Sequence, residues 1–284
     1  MTVSHEFHYR LPHRAAGWRP GSHRGSTLGA GLEFASHASL YDRPDPRRLD
    51  LRASLRHPGG DWLVRVQQQR VGITVHVLVD VSASMRFGSR RTKLSIATDF
   101  VQALGSSAFR AGDAFGMLAF DARARDDLYV PPRHSRGMGS AMAALLARSD
   151  GGAGGVEGLQ DAVRQLGTRR ELVFIVSDFH WELARLPGVL DALAPALVVP
   201  LVVWDESEIE PPTRKPLAWL KDMESGQGRT LWMRPSLQNA WRSAVALRRA
   251  ALADLCATRG VRPFFVHGEF RGDAMSAYFL EAAA

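Results

Sequence analysis

From about residue 71 onward, runs of consecutive apolar residues alternate with segments in which apolar residues recur every three or four positions. Such runs are typical of strands buried in a parallel sheet, and such segments are typical of amphipathic helices. The first strand begins at Thr74. Strands are also predicted at 114–120, 171–178, 196–204 and 261–266, with an antiparallel edge strand at 128–130 and a hairpin at 219–233. Helices are predicted at 91–109, 138–147, 156–166, 182–193, 236–258 and 273–284, and residues 206–216 form an exposed charged connection. Strands that alternate with helices predict an α/β fold with a doubly wound, mainly parallel sheet.

Residues 1–70 follow a different pattern. Residues 17–26 are basic, rich in turn-forming residues and without sustained periodicity. Pro44 and Pro46 force an extended or turning path, after which we expect a short helix. The alternation of residues 61–69 predicts a strand. Because this segment is too polar to form a core of its own, we expect a basic, turn-rich N-terminal segment, 1–70, packed on an α/β domain, 71–284.

Composition and charge narrow the classes of partner. The chain has 284 residues, 45% of them hydrophobic, which is enough for a large buried core. Its net charge of +7 and its isoelectric point near 10.2 raise the question of nucleic-acid binding. The excess charge is nearly all arginine, however, and no basic run is interleaved with stacking aromatic residues. We therefore expect an acidic protein partner, or merely an arginine-rich solvated surface, rather than nucleic acid.

Cysteine usage and hydropathy indicate a cytoplasmic protein. The single cysteine, Cys256, excludes an intramolecular disulfide, and no Cys/His grouping has the spacing of a structural zinc site. Residues 1–20 are too polar to resemble a signal peptide. The most apolar stretch, residues 193–204, is too short to span a bilayer and contains two prolines. We expect no membrane span.

The candidate chemistry lies where the first parallel strand ends. Asp80, Ser82 and Ser84 follow its apolar run at alternate positions, and extended backbone directs alternate side chains to the same side. Open α/β sheets bind their ligands at the carboxyl ends of the strands. A carboxylate and two hydroxyls form a hard-oxygen set that suits Mg²⁺ or Mn²⁺ and does not suit zinc or copper. Ser177 and Asp178 end a later apolar strand, so we expect Asp178 to supply a second carboxylate at this edge of the sheet.

With these motifs at two strand ends, residues 71–233 resemble a von Willebrand factor type A domain. In that family, a D-x-S-x-S loop, a threonine from a second loop and an aspartate from a third form a metal-ion-dependent adhesion site. The metal in such a site binds an acidic side chain of a partner protein. The resemblance implies that Asp80, Ser82, Ser84 and Asp178 are metal ligands in this chain.

The threonine of that family pattern has no counterpart here. The glycine-rich residues 151–155 align with the family's Gly-Gly-Thr, so Ala153, or Val156 in a shifted alignment, occupies the place of the threonine. Neither side chain offers an oxygen. Since Mg²⁺ prefers six oxygen ligands and retains water readily, we expect weak binding of Mg²⁺ or Mn²⁺ with coordination positions left for a partner.

The N-terminal segment carries a second resemblance. Residues 41–50, which contain Pro-Asp-Pro-Arg-Arg-Leu-Asp, are similar to the opening segment of a bacterial family labelled a domain of unknown function, which joins such a segment to a type A domain. Members of that family often lie beside MoxR-type AAA+ ATPases, including in clusters for methanol dehydrogenase maturation. Leu51 departs from the family's usual tryptophan, and residues 67–69, all glutamine, replace its acidic run. The resemblance implies a non-enzymatic adaptor that works with such an ATPase in maturation or metal insertion of a client protein.

Two alternatives from other classes remain open. A magnesium-dependent phosphatase of the haloacid-dehalogenase kind also starts from a strand-end aspartate, but it needs an acid two residues later, where this chain has Ser82. An arginine-rich nucleic-acid binder is the other alternative, and modest salt would abolish its binding. We interpret His180 as an incidental loop residue and His76 as accommodated within the sheet. Asp121 could support the site from behind its ligands, but we interpret it as solvated.

Overall fold

The predicted parallel sheet forms the centre of the larger of two compact units. The structure is a computed structural model and describes residues 6–15, 19–152, 155–167, 171–211, 217–221 and 227–282. One unit is Leu11–Ile73, and the other combines the residues before Leu11 with those from Thr74 onward. The expected packing of the N-terminal segment on the α/β domain stays a prediction.

The smaller unit is built on a two-stranded antiparallel ribbon. Its elements are β1 (Pro20–Ser39), a 3-10 turn at Pro46–Arg48, α1 (Leu51–Ser54) and β2 (Leu63–Val71), with β1 and β2 paired. The strand expected at 61–69 and the short helix after the prolines are confirmed. The turn-rich interpretation of 17–26 is wrong from Pro20 onward, because β2 satisfies the backbone of that segment. Gly31 lets the backbones of β1 and β2 come close together near a bulge of β1, since a Cβ at this position would overlap the carbonyl of Gln68.

The larger unit follows the predicted alternation of strands and helices. Its elements in chain order are β3 (Thr74–Asp80), a 3-10 turn (Ala83–Arg86), α2 (Lys93–Ala111), β4 (Ala114–Phe120), β5 (Ala124–Arg133), α3 (Met138–Arg148), α4 (Val156–Gln165), β6 (Leu172–Ser177), a 3-10 turn (Leu183–Arg185), α5 (Leu186–Ala192), β7 (Leu197–Trp204), α6 (Glu206–Ile209), β8 (Leu217–Lys221), β9 (Gly228–Trp232), α7 (Pro235–Ala257), β10 (Phe264–His267) and α8 (Gly272–Ala282). In these described ranges, no helix combines the length and the low polarity that crossing a bilayer requires.

Within the described residues, six strands form the sheet in the order β10-β7-β6-β3-β4-β5. All neighbours are parallel except β5, which pairs antiparallel with β4 at the edge, so the predicted edge strand is confirmed and is longer than expected. The chain runs from β3 to β4 on one side and later returns to β6 on the other side of β3. The order of strands therefore reverses between β3 and β6, and such a switch point is where doubly wound sheets bind ligands.

Alternate residues of the central strands pack on opposite faces of the sheet. On one face, Val173 and Ile175 belong to a core cluster with residues of α4, α5 and α7. On the other, the ring of Phe174 lies 5.1 Å from that of Phe100 on α2 and 6.1 Å from that of Phe279 on α8. Helices thus cover both faces, and the predicted doubly wound, mainly parallel α/β class is confirmed.

Two expectations for connecting segments need correction. The connection at 206–216 begins with a helix, α6, that the sequence pattern does not predict; Glu206 and Glu210 are exposed, while Glu208 is partly buried. Residues 212–216 lie outside the described residues. The helix predicted at 182–193 becomes α-helical only at Leu186, after a 3-10 turn. The predicted hairpin is confirmed as β8 and β9, although Ser225 and Gly226 of its expected turn lie outside the described residues.

The contact between α2 and α3 depends on glycine. A Cβ on Gly105 would lie 2.4 Å from Cα of Gly139, whereas a Cβ on Gly188 of α5 would meet nothing within 4 Å. We expect Gly105→Ala to lower the free energy of unfolding by about 1–3 kcal/mol through overpacking. The control Gly188→Ala should raise it by up to about 1 kcal/mol through helix propensity. Urea denaturation measures both, and equal effects of the two substitutions would contradict the close helix contact.

Candidate metal centre

Strand register brings the two predicted motifs together. Val79 pairs with Val176 across β3 and β6, which places the next residues, Asp80 and Ser177, side by side at the switch point. The Ser177 hydroxyl donates a hydrogen bond to Oδ2 of Asp80 at 2.7 Å. Both residues are buried, and so is Asp178, which follows Ser177.

The two serines of the D-x-S-x-S loop also face this point. The backbone N–H of Ser82 donates to Oδ1 of Asp80 at 2.9 Å, and the Ser82 hydroxyl donates to the same carboxylate. The hydroxyl oxygens of Ser82 and Ser84 lie 3.2 Å apart, and Ser84 donates to Asp178. The backbone is not extended through Ser84 as expected, since a 3-10 turn begins at Ala83. The four predicted residues nevertheless converge, because the tight turn directs Ser84 back toward the end of β6.

The two carboxylates have opposite electrostatic environments. Burial, together with the nearby charge of Asp178, raises the pKa of Asp80 to about 7. Burial would raise the pKa of Asp178, but the ammonium of Lys93, His180 and the Ser84 hydroxyl together outweigh burial and hold that pKa below its usual range. Asp178 is therefore ionised in an existing ion pair, whereas the charge of Asp80 is offset by hydroxyl and amide donors.

Lys93 is the main residue that sequence reasoning missed. It is fully buried, and its Nζ donates to Oδ2 of Asp178 at 2.6 Å and to Oε1 of Glu208 at 2.7 Å. These two carboxylates raise the pKa of Lys93 despite its burial, which by itself would lower it. A signal was present in the sequence: Lys93 is the first residue of α2, where the helix dipole disfavours a cation unless carboxylates compensate it.

Glu208 and His180 extend the cluster to the surface. His180 was interpreted as incidental, but its Nε2 lies 3.7 Å from Oε1 of Glu208. Ligand atoms of Asp178, His180 and Glu208 all lie within 4.8 Å of one another. His180 also stacks on the indole of Trp204, with the ring planes 7° apart. His180 is exposed and Glu208 is partly buried, so this side of the cluster faces solvent.

The loop that carries Asp178 is held in an uncommon backbone conformation. Phe179 has φ +53°, a region that bulky residues adopt rarely, and its side chain is fully buried. Arg248 of α7 donates to the carbonyls of Phe179 and Trp181, and the Trp204 indole donates to the carbonyl of Asp178 at 2.8 Å. Contacts from two other elements therefore fix the direction of the Asp178 side chain.

The expected second loop, the glycine-rich residues 151–155, is described only at its ends. Ala153 lies outside the described residues, while the carbonyl of Gly152 accepts a hydrogen bond from Ala83 at 2.8 Å, beside the serines. Val156 is buried at the start of α4. Asp121, interpreted as solvated, is buried and pairs with Arg125 at 2.9 Å. The solvated interpretation is wrong because Arg125 pairs with the Asp121 carboxylate and Gly152 lies close against it.

The donor set fits a divalent ion of the magnesium type. Asp80, Ser82, Ser84 and Asp178 supply hard oxygen donors from two loops at one point, as Mg²⁺ and Mn²⁺ prefer. Burial and the charge of Asp178 raise the pKa of Asp80 to about 7, because ionising this carboxyl beside Asp178 is unfavourable, and a bound cation would favour its ionised form. His180 and Glu208 offer further ligand atoms beside Asp178.

Comparisons with solved structures give distant similarities. BatB from Bacteroides thetaiotaomicron is 16% identical, with a TM-score of 0.48, and the match covers 74% of this chain and 97% of that one. An aerotolerance-related membrane protein from Bacteroides fragilis NCTC 9343 is 14% identical, with a TM-score of 0.47 and coverages of 74% and 98%. The SpRpn10 VWA domain is 9% identical, with a TM-score of 0.38 and coverages of 72% and 94%.

Comparison with protein families assigns the chain. No curated protein matches it. The family described as "Protein of unknown function DUF58" matches residues 43–251, well over half of the chain. That range includes β3, β6 and α6, and so every residue of the candidate site. The chain therefore belongs to the DUF58 family.

Proposed function

We propose that this chain is a non-enzymatic adaptor that binds an acidic side chain of a partner protein through a divalent metal. Asp80, Ser82, Ser84 and Asp178 would hold Mg²⁺ or Mn²⁺, which supplies the positive charge that attracts the partner's carboxylate. The observation that carries the proposal is geometric: the buried carboxylates of Asp80 and Asp178 meet the hydroxyls of Ser82 and Ser84 at the ends of two neighbouring strands, with the two hydroxyl oxygens 3.2 Å apart.

The arrangement supports recognition better than hydrolysis. A phosphatase of the haloacid-dehalogenase kind needs an acid two residues after its nucleophile. Here Ser82 stands in that position and hydrogen-bonds the Asp80 carboxylate through both its backbone and its hydroxyl. A serine cannot protonate a leaving group near neutral pH.

The proposal extends to a MoxR-type AAA+ ATPase as working partner, in maturation or metal insertion of a client protein. This part rests on the similarity of residues 41–50 to the opening segment of the family noted above. We place the adaptor in the cytoplasm, in keeping with its single, buried cysteine.

Calorimetric titration with MnCl₂ tests metal binding. The wild type should bind one ion weakly, and Asp80→Ala should weaken binding by at least about tenfold, since one buried ligand charge is lost. Asp254→Ala removes an exposed carboxylate on α7 and serves as the control, with no expected change. Pull-down from cell extract with wild type and Asp80→Ala, each with Mg²⁺ or chelator, tests the bridge. Equal recovery in all four arms would reject metal-mediated partner binding.

A further inference from the structure

The cluster beside the metal ligands already contains a cation, the Lys93 ammonium. Its two contacts, 2.6 Å to Asp178 and 2.7 Å to Glu208, are both short, and its side chain is only 1% exposed. Neither Lys93 nor Glu208 is part of the D-x-S-x-S pattern. We propose that Lys93 competes with the divalent ion for Asp178, and that Glu208 sets the strength of this competition by sharing the ammonium. This inference rests on the proposed metal site.

The hydrogen bonds of Asp178 show why the two cations compete. One oxygen, Oδ2, accepts from Lys93, and the other, Oδ1, accepts from the backbone N–H of His180 at 3.1 Å. Ser84 donates to the same carboxylate. A metal ion bound to Asp178 and Ser84 would therefore lie close to a buried ammonium, and like charges repel strongly where water is excluded.

Glu208 is placed to reduce that repulsion. Its Oε1 accepts from Lys93, while its Oε2 accepts from the backbone N–H of Asp205 at 2.9 Å, which closes the capping box of α6. The Glu208 carbonyl accepts from the Trp241 indole at 2.7 Å, and Asp205 accepts from the N–H of Ser89 at 2.9 Å. The carboxylate is thus held beside Lys93 by contacts that do not involve the metal ligands.

The charges of the three residues predict an order of affinity. Asp178, Glu208 and Lys93 together carry one net negative charge in the ionised state that their ion pairs favour. Removing the Glu208 charge leaves Lys93 to neutralise Asp178 fully, and removing the Lys93 charge leaves two uncompensated carboxylates. Metal affinity should therefore increase from Glu208→Gln to the wild type to Lys93→Met.

Calorimetric titration with MnCl₂ tests this order on the full chain. We expect Lys93→Met to bind Mn²⁺ at least about tenfold more tightly than the wild type, and Glu208→Gln to bind it several-fold more weakly. Arg259→Met removes one positive charge from the exposed pair with Asp191 and should leave affinity unchanged. Because Lys93→Met removes the cation between the buried Asp178 and the partly buried Glu208, its folding is checked by circular dichroism. The double variant Lys93→Met/Glu208→Gln provides a second comparison and should bind more tightly than Glu208→Gln alone.

The outcomes separate this inference from the metal site itself. If the wild type binds Mn²⁺ and both single variants bind it as tightly as the wild type, the proposed competition by Lys93 is wrong, while the proposed metal site is supported. If neither the wild type nor any variant binds Mn²⁺, the proposed metal site is wrong, and the proposed competition by Lys93 is wrong as well, because it depends on that site. The double variant Lys93→Met/Asp80→Asn tests where the ion binds. If it still binds Mn²⁺, the ion lies on Asp178, His180 and Glu208 instead of on the serine loop. That result would contradict the proposal that Lys93 competes with an ion held by Asp80 and the two serines.

Discussion

Asp80→Asn should stabilise the metal-free protein at alkaline pH while it weakens metal binding. In the folded chain, burial and the charge of Asp178 raise the pKa of Asp80 to about 7, whereas an unfolded aspartate has a pKa of about 3.9. Folding therefore favours the protonated form. The stability contributed by Asp80 is fully present below the unfolded pKa and is lost as the pH rises through the folded pKa. Asparagine keeps the shape of the side chain without its charge.

The expected gain depends on pH with a definite sign. With chelator present, the free energy of unfolding of Asp80→Asn should exceed that of the wild type by on the order of 4 kcal/mol at pH 8, and by less than half of that at pH 5. Urea denaturation at the two pH values measures both differences. Asp254→Asn, on the exposed surface of α7, is the control and should show no such dependence. A gain that is the same at both pH values would contradict a raised pKa for Asp80.

Metal should narrow the difference in stability between the two proteins. A ligand that binds only the folded state stabilises it in proportion to the logarithm of its concentration. Added Mn²⁺ should therefore raise the melting temperature of the wild type and leave that of Asp80→Asn nearly unchanged. The ionised Asp80 carboxylate would thus lower the stability of the metal-free protein and supply the negative charge that binds the metal ion.

Phe7→Ala should destabilise the larger unit by about 3–5 kcal/mol, the usual cost of removing a buried phenylalanine. The Phe7 side chain is 3% exposed, and its ring lies 6.0 Å from that of Phe100 and 6.4 Å from that of Phe174. The backbone N–H of Phe7 also donates to the Ser107 hydroxyl at 3.0 Å. Phe7 therefore contributes to the aromatic core that packs on this face of the sheet.

Guanidinium denaturation measures this cost. Leu247→Ala, at a position on α7 that is 71% exposed, is the matched control and should change the free energy of unfolding by less than about 0.5 kcal/mol. Equal stabilities of Phe7→Ala and the wild type would show that the N-terminal residues do not pack in the core in solution.

Sequence pattern predicted the central strands well and the N-terminal segment poorly. The predicted bounds of β4 agree with the structure, because a strand covered on both faces must be continuously apolar. The segment 17–26 lacks such a run, and β1 forms there because β2 satisfies its backbone hydrogen bonds. The contribution of Phe7 to the core also had no local signal, because its partners lie far along the chain.

The residues of the candidate site also fall into those that the sequence pattern predicted and those that it did not. Asp80, Ser82, Ser84 and Asp178 could be found from the sequence because each lies at or just after the end of an apolar strand, and the sheet order brings those ends together. Lys93 and Glu208 could not be paired in this way. Lys93 lies 85 residues before Asp178 and 115 residues before Glu208, and no periodicity connects them.

The sequence by itself determined which segments form the sheet, which strand ends carry oxygen ligands, and the order in which the elements follow one another. These properties depend on local periodicity and on the chemistry of single residues. Only the tertiary structure decided the electrostatic state of the site: Asp178 is paired with a buried ammonium, and Asp80 is left with hydroxyl and amide donors. The physical reason is that a buried charge is governed by whichever groups lie within a few ångströms of it, and folding draws those groups from distant parts of the chain.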